Sequence, residues 1–262
     1  MNQWSRTRKR IIFLILFLSV VVLVGVPIFF LFYRAPTCFD GKLNGDESGV
    51  DCGGSCQLLC SPEALPLIVR GDPRVLTIAT STYEVVALVE NPNSQAEVYR
   101  AGYTLKLYGS DNALAIKTIE GETYVPKGAT FALFEGPFIL DAAEVPTRAT
   151  FEWKKGSLIW QKNVSLAPEL NAKDQLVSKT ESTPRLEATV ENLSLESVSN
   201  IDLVAVISDK DGNIFASSKT FIDALPAGGE APIIFTWPRP FTGQVADIDI
   251  YIRVFPDRSF LR

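Results

Sequence analysis

Residues 11–33 read IIFLILFLSVVVLVGVPIFFLFY and contain no charged side chain in 23 positions. An α-helix rises about 1.5 Å per residue, so the segment would span about 35 Å, and the hydrocarbon core of a bilayer is about 30 Å thick. The segment therefore predicts a transmembrane helix that contacts membrane lipid. It divides the chain into a short tail, 1–10, and a long polar part, 34–262.

The charges on either side of this segment predict its orientation. Arg34 is the only charged residue between the segment and the first acid, Asp40. The tail, in contrast, has no acid and four bases, Arg6, Arg8, Lys9 and Arg10. Because basic flanks stay in the cytoplasm, we expect a single-pass plasma-membrane protein with a cytoplasmic N-terminus and an extracytoplasmic C-terminal part. A cleaved signal peptide is the alternative, but its apolar core is about 7–15 residues long and precedes small residues. The bulky residues 29–33 favour an uncleaved signal anchor.

The composition of the polar part narrows the function classes. All 30 acids but only 21 of the 25 Lys and Arg residues lie there, which gives a net charge of −9 and disfavours nucleic acid as a partner. The chain contains no histidine, which removes Ser-His-Asp and Cys-His catalysis and His-ligated zinc. We therefore expect a protein that is not an enzyme, with a carboxylate-based surface enzyme as the least favoured alternative.

All four cysteines fall in one short segment, at Cys38, Cys52, Cys56 and Cys60. An even number of clustered cysteines outside a membrane predicts two disulfides, which a segment with so little apolar surface needs for stability. Three pairings satisfy this prediction, and the glycines 53–54 disfavour a Cys52–Cys56 bridge. A zinc or iron–sulfur site held by the four thiolates is the alternative.

Oxygen ligands are interleaved with the cysteines, at Asp40, Asn44, Asp46, Glu47 and Asp51. Hard oxygen ligands at close spacing, separated by glycines that permit tight turns, are typical of calcium loops. Asp, Asn and Gly also dominate ordinary turns, so a solvated turn-rich loop is the competing interpretation. Calcium is the one cofactor that the sequence suggests.

The spacing of residues 38–56, CFDGKLNGDESGVDCGGSC, resembles a short cysteine module of secreted and cell-surface multidomain proteins. The resemblance covers about 23 residues of the module that we place at 36–61. It implies an extracellular setting and disulfides, and it implies no activity.

Beyond a proline-containing linker, the chain repeats itself at a period of about 100 residues. Three landmarks recur in the same order, namely 89–91 and 190–192, 125–128 and 225–228, and 131–138 and 234–241. The repeat predicts two domains, at 66–165 and 166–262. We expect equivalent strands in both, with Val89 matching Val190 and Phe138 matching Phe241. We also expect each domain to fold alone on either side of a flexible linker around 167–168.

Both domains read as short β-strands with alternating apolar and polar residues. Ile201, Leu203, Ala205 and Ile207 share one parity, for example, and turn residues separate such runs at about 8–12 residues. This pattern is typical of antiparallel sheets with one buried and one solvated face. We therefore predict a mainly β protein that contains an N-terminal transmembrane helix, a small disulfide-stapled module and two tandem immunoglobulin-like β-sandwiches.

The two domains resemble FxLYD-like and type-2 late-embryogenesis-abundant β-sandwiches. The residues that carry the resemblance are Val89–Asn93, Leu105, Leu107, Tyr108 and the Pro-x-Gly turns at Pro126 and Pro226. Leu105 replaces the Phe of the motif, Gly109 replaces its Asp, and the second copy matches less well. Because these motif residues are structural, the resemblance implies a fold and no site.

Two further motifs have simple structural explanations. The segment 209–213, DKDGN, begins like an EF-hand loop but lacks the following helix and the terminal Glu, so we predict a hairpin turn with Gly212 in a left-handed conformation. Asn163 and Asn192 begin glycosylation sequons, and the position of Asn192 in a repeat landmark predicts a role in a turn.

Together these features predict a membrane-anchored extracytoplasmic protein that acts as a binding, spacer or assembly module at the cell surface. Its partner would be another protein outside the membrane. An accessory subunit of an envelope secretion or pilus complex is the alternative. Neither interpretation involves nucleic acid.

Overall fold

The computed structural model describes residues 3–32, 37–110 and 114–256. These form two compact units, Met1–Ser55 and Cys56–Arg262, which are described separately. Parts of several predicted segments lie outside the described residues. They are residues 1–2 of the tail, Tyr33 of the anchor, Pro36 of the module, the first-domain turn residues 111–112 and residues 257–262 of the second sandwich.

The first unit begins with a single long helix, α1 (Gln3–Phe32), which continues through Pro27. Its segment Arg8–Ile28 has a mean hydropathy of 3.2, and none of its described residues is buried within the protein. An apolar helix of this length whose described side chains are exposed is suited to a hydrocarbon environment. The helix predicted from the apolar segment is thus present, and it is long and apolar enough to cross a membrane.

The rest of the first unit, residues 37–55, consists of turns and one isolated antiparallel bridge between Gly49 and Cys52. Gly54 shows why glycine is needed in so tight a loop. It has a φ of +50°, and a Cβ placed on it would lie 2.0 Å from the carbonyl oxygen of Asp46. Any side chain at this position would force the loop apart.

The first sandwich occupies the first half of the second unit, after a 3₁₀ turn at Ser61–Glu63. Its two antiparallel sheets have the strand orders β1-β2-β5 and β4-β3-β6, and β7 pairs with the beginning of β3. The strands are β1 (Ile68–Ala79), β2 (Thr82–Glu90), β3 (Ala96–Tyr108), β4 (Ala115–Val125), β5 (Thr130–Ile139), β6 (Arg148–Trp153) and β7 (Trp160–Lys162).

The second sandwich has the same arrangement, with strand orders β8-β9-β12 and β11-β10-β13. The strands are β8 (Leu170–Ser178), β9 (Arg185–Asn192), β10 (Val198–Ser208), β11 (Ile214–Leu225), β12 (Glu230–Thr236) and β13 (Asp247–Val254). All pairings in both sandwiches are antiparallel. The predicted fold class, a mainly β protein with an N-terminal helix, two disulfides and two sandwiches, is confirmed.

The alternating residues of each sandwich build its core, as the sequence predicts. Leu203, Ala205 and Ile207 of β10 are fully buried against Leu186 and Phe235. Apolar area removed from water contributes about 25 cal/mol per Å², so such rows dominate the stability of each sandwich.

The register shows how far the repeat extends. Val89 and Val190 are both fully buried, and they face Phe131 and Ala231 across the adjacent strand. Phe131 therefore corresponds to Ala231, whereas the third landmark of the sequence aligned it with Ile234, which is 45% exposed. The third landmark is out of register by three residues. Accordingly, Phe138 lies in β5, but Phe241 follows the end of β12.

A separate apolar cluster joins the two sandwiches. Leu76, Val86 and Ala132 come from sheet β1-β2-β5, and Val204 and Val206 come from β10. Sheet β1-β2-β5 thus packs face to face on sheet β11-β10-β13. The expectation of one solvated face is wrong for β2 and β10, because both faces of these strands are largely buried. Independent folding of the two domains stays a prediction, and this shared cluster argues against it.

Candidate functional site

The cysteine module contains two disulfides, Cys38–Cys56 and Cys52–Cys60. The prediction of two bridges is confirmed, and one of the three open pairings is selected. No cysteine is free in the described residues, so no thiolate remains for the zinc or iron–sulfur alternative.

Residues 56–60 of this module are attached to the first sandwich by backbone hydrogen bonds. The amide of Leu59 donates to the carbonyl of Trp160 at 3.0 Å, and the amide of Lys162 donates to the carbonyl of Gln57 at 2.8 Å. Cys56 and Cys60 are both buried. The segment therefore covers the free edge of β7, which protects that edge from pairing with other chains.

The five predicted calcium ligands lie in the turn-rich loop of the first unit and contact its own polar groups. The Asp51 carboxylate accepts hydrogen bonds from the amides of Asp40 and Gly41, both at 3.0 Å. Asp40 accepts from the Asn44 side-chain amide at 2.9 Å, and this bond is the main cause of the lowered pKa of Asp40.

The other two carboxylates of the loop are engaged in the same way. Glu47 accepts from the amide of Asn44 at 3.2 Å, and Asp46 accepts from the hydroxyl of Ser55 at 2.7 Å. Such bonds are those of a self-capped turn. The Oδ1 atom of Asn44 is buried and has no hydrogen-bond partner in the described part of the chain. Asp40, Asn44, Asp46, Glu47 and Asp51 remain the residues that would hold a calcium ion, which stays a prediction.

Two buried asparagines explain the first repeat landmark. The Asn91 side-chain amide donates to the carbonyls of Ala96 and Pro126, both at 2.8 Å. Asn192 likewise donates to the carbonyls of Glu196 and Pro226, both at 2.9 Å. Each asparagine therefore ties the end of one strand to the Pro-x-Gly turn of another, because buried carbonyls need a donor.

Burial decides whether a glycan could be attached at each of the two sequons in the folded protein. Asn192 is fully buried, so the folded protein has no room for a glycan there, whereas Asn163 is half-buried.

In the EF-hand-like segment 209–213, Asp209 accepts hydrogen bonds from the amides of Asp211 and Asn213, and Gly212 has a φ of +77°. The predicted hairpin turn is confirmed.

A buried polar cluster sits where the two sandwiches meet. Arg253 of β13 donates to the hydroxyl of Thr123 at 2.9 Å and to the carbonyl of Tyr124 at 3.2 Å, both in the first sandwich. It also forms an ion pair of 3.4 Å with Asp202, which Lys219 contacts at 3.1 Å. Arg253 and Asp202 are 7% and 1% exposed, so this pair is desolvated and geometrically fixed.

The opposite pattern, exposed apolar side chains, occurs at one end of the second sandwich. Leu166 and Leu195 are 96% and 97% exposed, and Leu193 is 48% exposed. They line a groove of about 730 Å³ formed by residues 165–169, 193–200 and 254–256. We call this the leucine groove. Its charged lining residues are Glu169 and Glu196, with no base among the lining residues that the structure describes.

A second cavity, of about 280 Å³, lies between the sandwiches beside Glu84 of β2. Glu84 is 5% exposed, and burial raises its pKa to about 8. Its Oε1 atom has no hydrogen-bond partner among the described residues. No motif marks Glu84 in the sequence, although a carboxylate next to the apolar run 85–89 is an unusual feature for a buried strand.

No protein-family model matches this chain, and no curated protein sequence matches it. Among solved structures it is similar to a β-glucuronidase from Bacteroides uniformis, at 14% identity and a TM-score of 0.21 over 68% of this chain and 26% of that one. It is also similar to red sea bream transglutaminase, at 10% identity and a TM-score of 0.23 over 72% of this chain and 31% of that one.

The chain thus spans about a quarter to a third of the length of these two enzymes. Similarities this weak carry no argument about activity. The resemblances to the cysteine module and to the two sandwich families stay predictions.

Proposed function

We propose that this protein is a membrane-anchored extracytoplasmic binding module, in which two fused sandwiches present the leucine groove to a partner protein. An apolar N-terminal helix and two disulfides indicate a membrane-anchored or secreted extracellular protein. The basic residues that precede Ile11 support an anchor with its N-terminus in the cytoplasm.

The exposure of the leucine groove is the observation that carries this proposal. Nearly full exposure of two neighbouring leucines is costly in water, and contiguous exposed apolar surface on a soluble domain marks interaction sites. A groove of about 730 Å³ can also enclose an apolar anchor residue of a partner, which is how binding hot spots are built.

The charges of the groove define the chemistry of that partner. Glu169 and Glu196 are exposed acids at its rim, and the polar part of the chain has a net charge of −9. Complementary charges at a rim select partners and steer association. The partner that fits is a protein segment with an aliphatic or aromatic anchor flanked by Lys or Arg side chains.

Peptide binding to the full-length protein in nanodiscs of zwitterionic lipid tests this proposal. The probes are two fluorescent peptides with the same Leu-Phe-Leu centre, one flanked by lysines and the other by glutamates. We expect the lysine-flanked peptide to bind, and we expect Leu195→Asp to weaken its binding at least tenfold. Ile139→Asp is the matched control, because Ile139 is 77% exposed but does not line the groove.

Equal binding of the two peptides, or unchanged binding to the Leu195→Asp variant, would contradict the proposed partner chemistry. The membrane arrangement is tested separately. Protease added to intact cells should remove the mass of the chain beyond the anchor, and protection of that mass until lysis would overturn the orientation.

A further inference from the structure

Glu84 occupies an unusual position in the contact between the two sandwiches. It shares a row of β2 with Val86 and Leu88, which belong to or pack against the apolar cluster that joins the sandwiches. The pairing of β2 with β5 shifts register between Tyr83 and Val85, which brings Glu84 against Gly136. A Cβ placed on Gly136 would lie 2.9 Å from the Cβ of Glu84, so the backbone of β5 packs closely against the base of this side chain.

The charged groups around Glu84 are engaged elsewhere. Arg239 is the other charged residue that lines the cavity in the described part of the chain, and its guanidinium donates to the Thr80 hydroxyl at 2.9 Å. Four charged residues of the neighbouring strands also have other partners. These are Arg70 of β1 with Glu90, Arg74 of β1 with Asn213, Glu135 of β5 with Tyr103, and Lys219 of β11 with Asp202.

We propose that Glu84 makes the contact between the sandwiches pH-dependent, holding it closed while the carboxyl is neutral and loosening it on ionisation. A neutral carboxyl group is tolerated in this apolar surrounding, whereas an ionised one without a cation must be hydrated. The adjacent cavity of about 280 Å³ provides space into which water can enter. Loosening would therefore begin where β2 meets β11 and the segment 237–242.

The direction of the effect follows from proton linkage. The ordinary pKa of this carboxyl is 4.5, and burial raises it to about 8 in the folded protein. Between these values the folded protein holds a proton that the unfolded chain has lost, so rising pH destabilises the folded state. The unfolding equilibrium constant should increase about tenfold per pH unit from about pH 5 to pH 8 and then level off.

The test compares the full-length wild-type protein with Glu84→Gln in detergent micelles, by urea unfolding from pH 5 to pH 9. Gln stays neutral, so the ratio of the two unfolding constants should change about tenfold per pH unit up to pH 8. Hydrogen exchange of peptides from β2 and β11, corrected for intrinsic rates, should speed up in the wild type above pH 8. Glu152→Gln, an exposed glutamate of β6, is the control and should follow the wild type.

A pH-independent difference between wild type and Glu84→Gln would show a merely structural role and overturn the proposal. If Glu84→Gln does not fold, carbon NMR of the glutamate carboxyls in the wild-type protein decides the question. One carboxyl that titrates near pH 8 is expected, and titration of every carboxyl below pH 6 would refute the proposal.

Discussion

Replacing Arg253 by Met tests the polar cluster that joins the two sandwiches. The substitution removes the guanidinium that contacts Asp202, Thr123 and Tyr124, while it keeps most of the apolar bulk. Removing one partner of a buried ion pair typically costs about 3–5 kcal/mol, because the other charge stays buried. Lys219 still contacts Asp202 at 3.1 Å, so we expect the lower end, about 3 kcal/mol.

A loss of this size is measurable as a change in thermal stability. For a folded unit of about this size, 1 kcal/mol corresponds to about 2–4 °C, so the Tm of the full-length protein should fall by about 6–12 °C. Circular dichroism in detergent micelles measures it. Lys210→Met is the control, because Lys210 is 84% exposed in its pair with Asp211 and should change the stability by less than about 0.5 kcal/mol.

The double variant Asp202→Leu/Arg253→Met separates ion pairing from packing. Once both charges are absent, the desolvation cost that the single variant suffers also disappears. Its stability should therefore return to within about 1 kcal/mol of the wild type. A double variant that is less stable than Arg253→Met alone, or a single variant that melts like the wild type, would refute this account of the cluster.

Three shorter predictions follow from the other features. Asn192→Ala should destabilise the protein by about 1–3 kcal/mol in urea unfolding, because it leaves buried carbonyls without a donor, whereas Asn163→Ala should have a smaller effect. Mass spectrometry of the oxidised protein should show no alkylatable thiol and peptides that link Cys38 to Cys56. Expression in a glycosylating host should leave Asn192 unmodified in the folded protein, and a glycan there would contradict its buried position.

The strands and cores could be predicted because the alternation of apolar and polar residues indicates which side chains share a face of the sheet. The alternation predicts one buried row of Ile201, Leu203, Ala205 and Ile207, and all four are fully buried. The contact between the sandwiches was missed because the opposite row was expected to be solvated. The uninterrupted apolar run 203–207 indicates this contact, because such a run is typical of a strand covered on both faces.

Other features could not be derived from the sequence for physical reasons. Four cysteines allow three pairings, and only the folded loop decides which sulfur atoms meet. The acids 40–51 match a calcium loop in composition, but composition does not reveal that backbone amides donate hydrogen bonds to the carboxylates of Asp40 and Asp51, and calcium binding stays a prediction. The burial of Glu84 depends on the second sandwich that covers it, and the pattern of its own strand does not show this contact.

Whether a further domain could stack on the two sandwiches depends on the side chains of their outer faces. Val204 and Val206 of β10 correspond to Thr104 and Lys106 of β3 in the first sandwich. On the far side of the second sandwich, Lys173 bridges the β9 and β12 carboxylates of Glu191 and Glu230. Both outer faces thus carry charged side chains at these positions, and packing a further domain on them would cost the desolvation of those charges. The contact between the two sandwiches is heterologous, and this desolvation cost disfavours its repetition into filaments.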